Sequence, residues 1–385
     1  MKPTLIAVAG ALLLAGPARA GENAGVTAAP VLQLPMGARA AGMGTAFTAV
    51  ADDVSTLHYN PGGLANLNSH EATLMVLGGQ QDNNVQYLAG GTPLPFAGFT
   101  GSGYATLAAS VLLSRNGDIE VNTLNPDGSP GTSSKMSAGG DTVVSLGYAE
   151  RLADTPFELP DSTRHIDHFL GFSGKYIHSA LAQSYSAHAY AADVGYFGRC
   201  PELGVTVGAS VLNLGSPMRF VEEGDPLPLT TRAGGAWSVP MPMPESNALV
   251  WAADWEYQYY ERLWFVNTGV EYTFLKQFSA RVGYQAHHET PIVTLGFGAR
   301  LGHFSLDYGW TMNSQLGDAH RFSVTFRFGA VPVREREKAR RPRIESMPER
   351  EEIKELEQEQ PSTYDQPRRP PQTSPERKGV PGWIY

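Results

Sequence analysis

Apolar and polar residues alternate with a period of two through the last part of the chain. Phe322, Val324, Phe326 and Phe328 alternate with Ser323, Thr325 and Arg327, and Phe304, Leu306, Tyr308 and Trp310 with Ser305, Asp307 and Gly309. Further upstream, Val293, Leu295 and Phe297 alternate with Thr294, Gly296 and Gly298; Phe278, Ala280, Val282 and Tyr284 alternate with Ser279, Arg281 and Gly283. Trp264, Val266, Val270, Tyr272 and Phe274 share a face opposite Asn267 and Glu271. Successive side chains of a strand point to opposite faces, so each run predicts a strand with one apolar and one polar side.

Segments of this kind are expected near 70–79, 83–91, 103–114, 141–152, 167–178, 187–197, 203–213 and 229–238. Six more follow near 247–257, 263–274, 278–286, 291–301, 303–313 and 319–329, making fourteen. An even number of antiparallel strands brings both ends of a closed sheet to one side. Longer polar connections near 115–140, 179–186 and 214–228 are expected on the other side. The stretch 153–166 falls on the short-link side, and its length has no explanation in the sequence.

The apolar side admits two solutions, a sandwich core or a lipid face. A sandwich core draws mainly on Val, Ile and Leu, whereas here Phe, Tyr and Trp gather near strand ends, as in the aromatic girdles of membrane barrels. The start of the chain agrees: Lys2, an apolar run from Leu5 to Ala15 and Ala18-Arg19-Ala20 read as a secretory leader over 1–20. Beyond it no run approaches the roughly 20 apolar residues of a spanning helix. The single cysteine, Cys200, cannot form an internal disulfide. The expected fold is all-β, a transmembrane up-and-down barrel over 69–329.

Ahead of the strands, Pro35 to Leu67 is organised differently. Its first half is small and carries Gly37, Gly42 and Gly44, so no bulky core is expected there; its second half carries Asp52, Asp53 and the turn Asn60-Pro61-Gly62-Gly63. Residues 21–68 read as a hatch or plug for the lumen, with Gly42, Gly44, Asp52, Asp53, Asn60, Pro61 and Gly62 as its candidate functional positions.

After Phe328 the composition changes. Residues 331–385 hold twelve Lys/Arg, eleven Asp/Glu and many prolines, so 330–385 is expected to be a disordered tail, with docking to a periplasmic partner as its sharper reading. Between leader and tail, 15 basic and 27 acidic residues leave a net charge of −12, which argues against nucleic-acid binding.

Gly42-Met-Gly44-Thr-Ala-Phe47, Ala51-Asp52-Asp53 and Asn60-Pro61-Gly62-Gly63-Leu64 together resemble the N-terminal signature of FadL-like outer-membrane proteins, in the PorV/PorQ-type branch. Val54 and Gly62 stand where that pattern usually has alanine. The resemblance implies fourteen strands, so the count above is not independent of it. It also implies an outer-membrane location with both termini periplasmic, contact with outer-membrane lipid, and a hatch that blocks the lumen. Two function classes follow from it: a channel for hydrophobic small molecules, or a secretion component that binds exported protein cargo through its extracellular loops.

The strand phases place Glu271, Arg281, Arg300, Asp307 and Arg327 on the lumen side. One expectation is that Asp52 and Asp53 pair with those arginines and latch the hatch. The alternative gives the arginines to Glu271 and Asp307 across neighbouring strands. Catalytic machinery is not expected: there is no Gly-x-Ser-x-Gly, and Gly42-x-Gly44 lacks the βαβ context of a dinucleotide loop. The clusters His165-Ile-Asp167-His168 and His287-His288-Glu289 lack a third ligand fixed by spacing, so neither a metal nor another cofactor is expected.

Overall fold

The computed structural model describes residues 25–329 apart from 81–82, 95–97, 160–161, 183, 241–246, 287–290 and 313–316. The leader, the charged tail and the His287-His288-Glu289 cluster lie outside the described residues.

Eighteen strands follow one another in these residues: β1 (His70–Gln80), β2 (Asn83–Pro93), β3 (Ala105–Asn116), β4 (Asp118–Leu124), β5 (Pro130–Ser137), β6 (Gly139–Leu159), β7 (Ser162–Leu181), β8 (Tyr185–Cys200) and β9 (Val205–Gly215). They continue with β10 (Met218–Arg219), β11 (Gly224–Asp225), β12 (Thr230–Val239), β13 (Ala248–Gln258), β14 (Leu263–Phe274), β15 (Phe278–Ala286), β16 (Ile292–Leu301), β17 (Phe304–Met312) and β18 (Ala319–Phe328). Fourteen of them close into one antiparallel barrel, in the order β1-β2-β3-β6-β7-β8-β9-β12 and on through β18 back to β1. The closing ladder pairs Ala72 with Phe326 and Val76 with Phe322. Closure leaves no barrel strand with an open edge. The end where β1 begins and β18 stops is here the near end, the opposite one the far end.

The alternation read in the sequence is the alternation of the wall. Leu74, Val76, Phe172, Val282, Phe297, Phe322 and Val324 point outward and are exposed, while Thr73, Ser173, Glu271, Arg281, Thr294 and Ser323 point inward and are buried. An exposed apolar belt around a polar interior is stable only where the surroundings are apolar.

Two insertions depart from the simple meander. β4 and β5 pair with each other at the far end, outside the barrel sheet. The unexplained 153–166 stretch is an extension of β6 and β7: after a bulge at Leu152 their ladder runs on from Ala153↔His168 to Leu159↔Ser162. Their outer neighbours stop earlier, at Glu150 on the β3 side and Asp167 on the β8 side. The insertion is therefore a two-stranded ribbon projecting from the near end.

Inside the barrel lies the stretch from Ala28 to Leu67. It holds helices α1 (Ala38–Gly42) and α2 (Thr56–Tyr59) and two single-turn 3-10 segments, Pro30–Gln33 and Pro61–Asn66. The expectation that no bulky core forms in the first half is corrected, since Met36, Met43 and Phe47 are fully buried there; Leu57, Tyr59 and Leu64 of the second half are fully buried as well. Phe47 and Tyr59 pack with ring centroids 5.5 Å apart. The core forms because the wall supplies the other half of the packing.

Candidate functional site

The lumenal segment touches every strand of the barrel. Its close approach depends on wall glycines that face inward. A Cβ at Gly283 of β15 would lie 2.0 Å from the Gly44 nitrogen, one at Gly269 of β14 2.3 Å from the Met43 oxygen, and one at Gly208 of β9 2.2 Å from the Thr48 oxygen. On the other side of the lumen, Gly171 of β7 and Gly195 of β8 are direct cross-strand partners and receive Pro61 and Asn60. Gly42 and Gly44 are the segment's half of this contact: a Cβ on Gly42 would sit 2.9 Å from the Gly296 Cα, and Gly44 has a φ of +63°. Backbone meets backbone because neither side carries a side chain at these points.

Wall side chains then satisfy the segment's polar backbone. Thr294 accepts from the Gly44 N–H at 3.0 Å and donates to the Gly42 carbonyl at 3.1 Å. Asp254 of β13 accepts from the Phe47 and Thr48 N–H groups at 2.9 and 2.8 Å. Arg232 of β12 donates to the Thr45 carbonyl at 2.7 Å and pairs with Glu256 at 2.8 Å. Asn60 accepts from the Gly62 N–H at 3.0 Å and donates to the Thr48 and Tyr196 carbonyls, both at 2.9 Å. Its amide thus ties the Pro61-Gly62 turn to the segment and the wall together.

A charge cluster lies at the near end. Arg39 of α1 holds Glu271 through two bonds of 2.8 Å, binds Asp52, and lies 3.3 Å from Asp53. Burial opposes the Arg39 charge, and the carboxylates of Asp52 and Glu271 more than offset it, raising its pKa. Asp53 also accepts from the Ser55 N–H at 2.9 Å, and Val54 donates its N–H to Glu71 at 3.1 Å.

The expected pairing of Asp52 and Asp53 with Arg281, Arg300 and Arg327 is corrected by these contacts. Arg281 pairs with Glu271 at 2.5 Å and Asp307 at 2.7 Å, and Arg327 with Glu71 at 2.6 Å. Arg300 faces the same near-end space but is exposed and has no ion pair among the described residues. The arginine that gathers the two aspartates belongs to the segment itself. Sequence reading passed over Arg39, Glu71, Arg232 and Asp254; the one signal for Arg39 was that it is the only charged residue from Pro30 to Ala51.

The His165-Asp167-His168 cluster disperses. His165 pairs with Asp154 across the ribbon at 2.9 Å, His168 bonds the Tyr196 hydroxyl at 2.7 Å, and Asp167 bridges Arg151 and Arg199. Among the described residues no three His, Cys, Asp or Glu side chains converge as metal ligands.

Toward the far end, the space above the segment opens into a vestibule of about 400 Å³. Leu32, Leu34, Leu212, Leu263, Phe265 and Ile292 line part of it, and Arg232, Glu256, Gln258, Glu261, Asn267 and Arg321 another part.

These features define a transmembrane β-barrel of fourteen strands with residues 28–67 packed against the inner side of its wall. A family model described as an uncharacterised protein family, UPF0164, matches residues 7–91, less than half of the chain. No curated protein matches. Among solved structures, the chain is similar to a Pseudomonas aeruginosa FadL homologue at 10% identity and a TM-score of 0.41, over 77% of this chain and 99% of that one. It is similar to the Pseudomonas putida toluene transporter TodX at 12% and 0.40, over 75% and 96%, and to the Acinetobacter baumannii outer membrane protein Omp33 at 10% and 0.37, over 68% and 98%. The barrel is assigned on its own closed ladder, not on these likenesses.

Proposed function

We propose that this chain is an outer-membrane channel for small molecules, held shut by residues 21–68 acting as a hatch, with both termini at the periplasmic end. The observation that carries the reading is the contact of the lumenal segment with all fourteen barrel strands. A lumen crossed in this way conducts only when the segment yields. The vestibule beyond it supplies a place for a solute to bind first, and its mixed lining fits a solute with polar groups better than a wholly hydrophobic one.

Planar-bilayer conductance tests this. The full chain should pass little current. A variant lacking residues 38–67 should open a stable pore, provided its heat-modifiable electrophoretic mobility shows that the barrel still forms. A folded barrel without the segment and without added current removes the hatch reading.

A second reading has its own support. The unbroken ladder and the exposed β4–β5 hairpin at the far end suit a PorV-like component that binds exported cargo by its loops. Deleting residues 118–137 should abolish cargo capture if that reading holds and leave conductance untouched.

A further inference from the structure

The vestibule contains two buried charges with no opposite charge beside them among the described residues. Arg321 of β18 is 2% exposed and Glu261, on the link between β13 and β14, is 7% exposed. The Arg321 guanidinium donates to the Pro35 carbonyl at 3.1 Å and to the Thr311 hydroxyl at 3.0 Å, and meets no carboxylate among the described residues. Glu261 accepts from the Thr27 hydroxyl at 2.6 Å and the Gln33 amide at 3.2 Å through one oxygen, and meets no cation among the described residues. Arg321 Nη2 and Glu261 Oε2 have no partner among the described residues. The other charged groups here are paired, Arg232 with Glu256 at 2.8 Å and with Asp254 at 3.4 Å.

A lone buried charge is costly unless something compensates it. Two such charges of opposite sign facing one cavity call for a ligand with a charge of each sign. A simple anion on Arg321 would meet Glu261, and a simple cation on Glu261 would meet Arg321. The two anchors hold positions Gln33, through its side-chain amide, and Pro35, through its carbonyl, so the charges lie within about 20 Å of each other. An extended peptide of three to six residues spans about 10–20 Å.

We infer that the vestibule is a recognition site for short peptides with free ends, the carboxylate on Arg321 and the ammonium on Glu261. Both anchors also hold the lumenal segment, at Thr27, Gln33 and Pro35. A peptide that takes Arg321 and Glu261 competes with those three bonds and loosens residues 27–35. This consequence rests on the hatch reading; the binding itself does not.

Calorimetry on the full chain in detergent, titrated with trialanine, tests it. Trialanine should bind, N-acetyl-trialanine and trialanine amide at least about tenfold more weakly, and the doubly capped peptide not at all. Arg321→Gln should erase the penalty for amidation, and Glu261→Gln the penalty for acetylation. Equal binding of free and capped peptides, or none by trialanine, overturns the site. Binding of N-acetyl-trialanine as tight as that of trialanine reduces it to an anion site and overturns it as well. Trialanine binding without faster proteolysis of residues 27–35 or any bilayer current upholds the site and removes its coupling to a hatch. Current from the segment-deleted barrel with no trialanine binding by the full chain keeps the hatch and overturns the site.

Discussion

Arg39 of the lumenal segment and Glu271 of the barrel wall meet through two parallel bonds, Nε to Oε2 and Nη2 to Oε1, each 2.8 Å long, although 232 residues separate them. The guanidinium fork matches a carboxylate in this geometry, and lysine would lose one of the two bonds. Because Asp52 and Asp53 also converge on Arg39, one side chain organises three carboxylates at the near end.

Arg39→Met is therefore expected to weaken the seat of the segment more than any single aspartate change. Removing one partner of a buried pair costs on the order of 3–5 kcal/mol, and the remaining Arg281 contact places this case near the lower end. Asp52→Ala should cost less than about 1 kcal/mol, since its side chain is 44% exposed. Protease cleavage within 36–60 of the detergent-solubilised protein measures both. Equal cleavage rates for the two variants would remove Arg39 as the hub.

The wall glycines give a second expectation. Gly283→Val places a Cβ 2.0 Å from the Gly44 nitrogen, in a contact of two backbones that cannot turn aside as a flexible side chain can. The segment should be displaced while the β14-β15-β16 ladder persists, giving bilayer current from a folded barrel. Gly174→Val is the control: it faces outward with nothing within 4 Å of the added atom, and should change stability by no more than about 0.5 kcal/mol.

How much of this was legible follows from how local each signal is. Strands such as β15 and β18 were readable because an apolar outside and a polar inside write a period of two into them; β2, with Val85 and Tyr87 inward and Gln86 outward, departs from that rule, and the count of fourteen also drew on the family resemblance. Strands β4 and β5 were not readable, because Asp118–Leu124 and Pro130–Ser137 are largely solvated on both faces, and the only alternation, Ile119 and Val121 in β4, is too short to mark a barrel strand. Nor was the ribbon of β6 and β7 beyond Arg151, where the outward side no longer meets an apolar medium. Gly283, Gly296 and Gly309 were visible as the polar-side members of their strands; that they face the backbone of residues 38–44 depends on the closed ladder. Arg39 lies among alanines and glycines with no partner inside its own helix, so its role exists only once β14 is beside it.

Asn60 supplies a third expectation. Asn60→Asp keeps the oxygen that accepts from the Gly62 N–H and removes the amide that donates to Thr48 and Tyr196, leaving two buried carbonyls facing a carboxylate. An unsatisfied buried group costs about 1–3 kcal/mol, so the change should loosen the 48–62 stretch although the turn itself survives. Hydrogen exchange resolves the two: faster exchange at Ala51 and Asn60 with the Gly63 N–H still protected fits, and uniform loss across 60–66 would mean that only the turn mattered.

The last expectation concerns pH. His58 on α2 is half-buried beside the vestibule, and burial first, then the Lys175 and Arg232 cations, push its pKa from 6.5 down to about 3. The seated segment therefore holds His58 neutral, while a released segment takes up a proton near 6.5. Between those values the released form binds more protons, so acid favours release: the seat is fully stable above pH 6.5 and weakens as pH falls toward about 3. From 6.5 to about 5 free carboxylates remain ionised, so that part of the window reports His58. Bilayer current should rise on lowering the pH through it, and His58→Gln should flatten the rise. A variant that keeps the full rise would assign the acid response to the carboxylates around Arg39 instead.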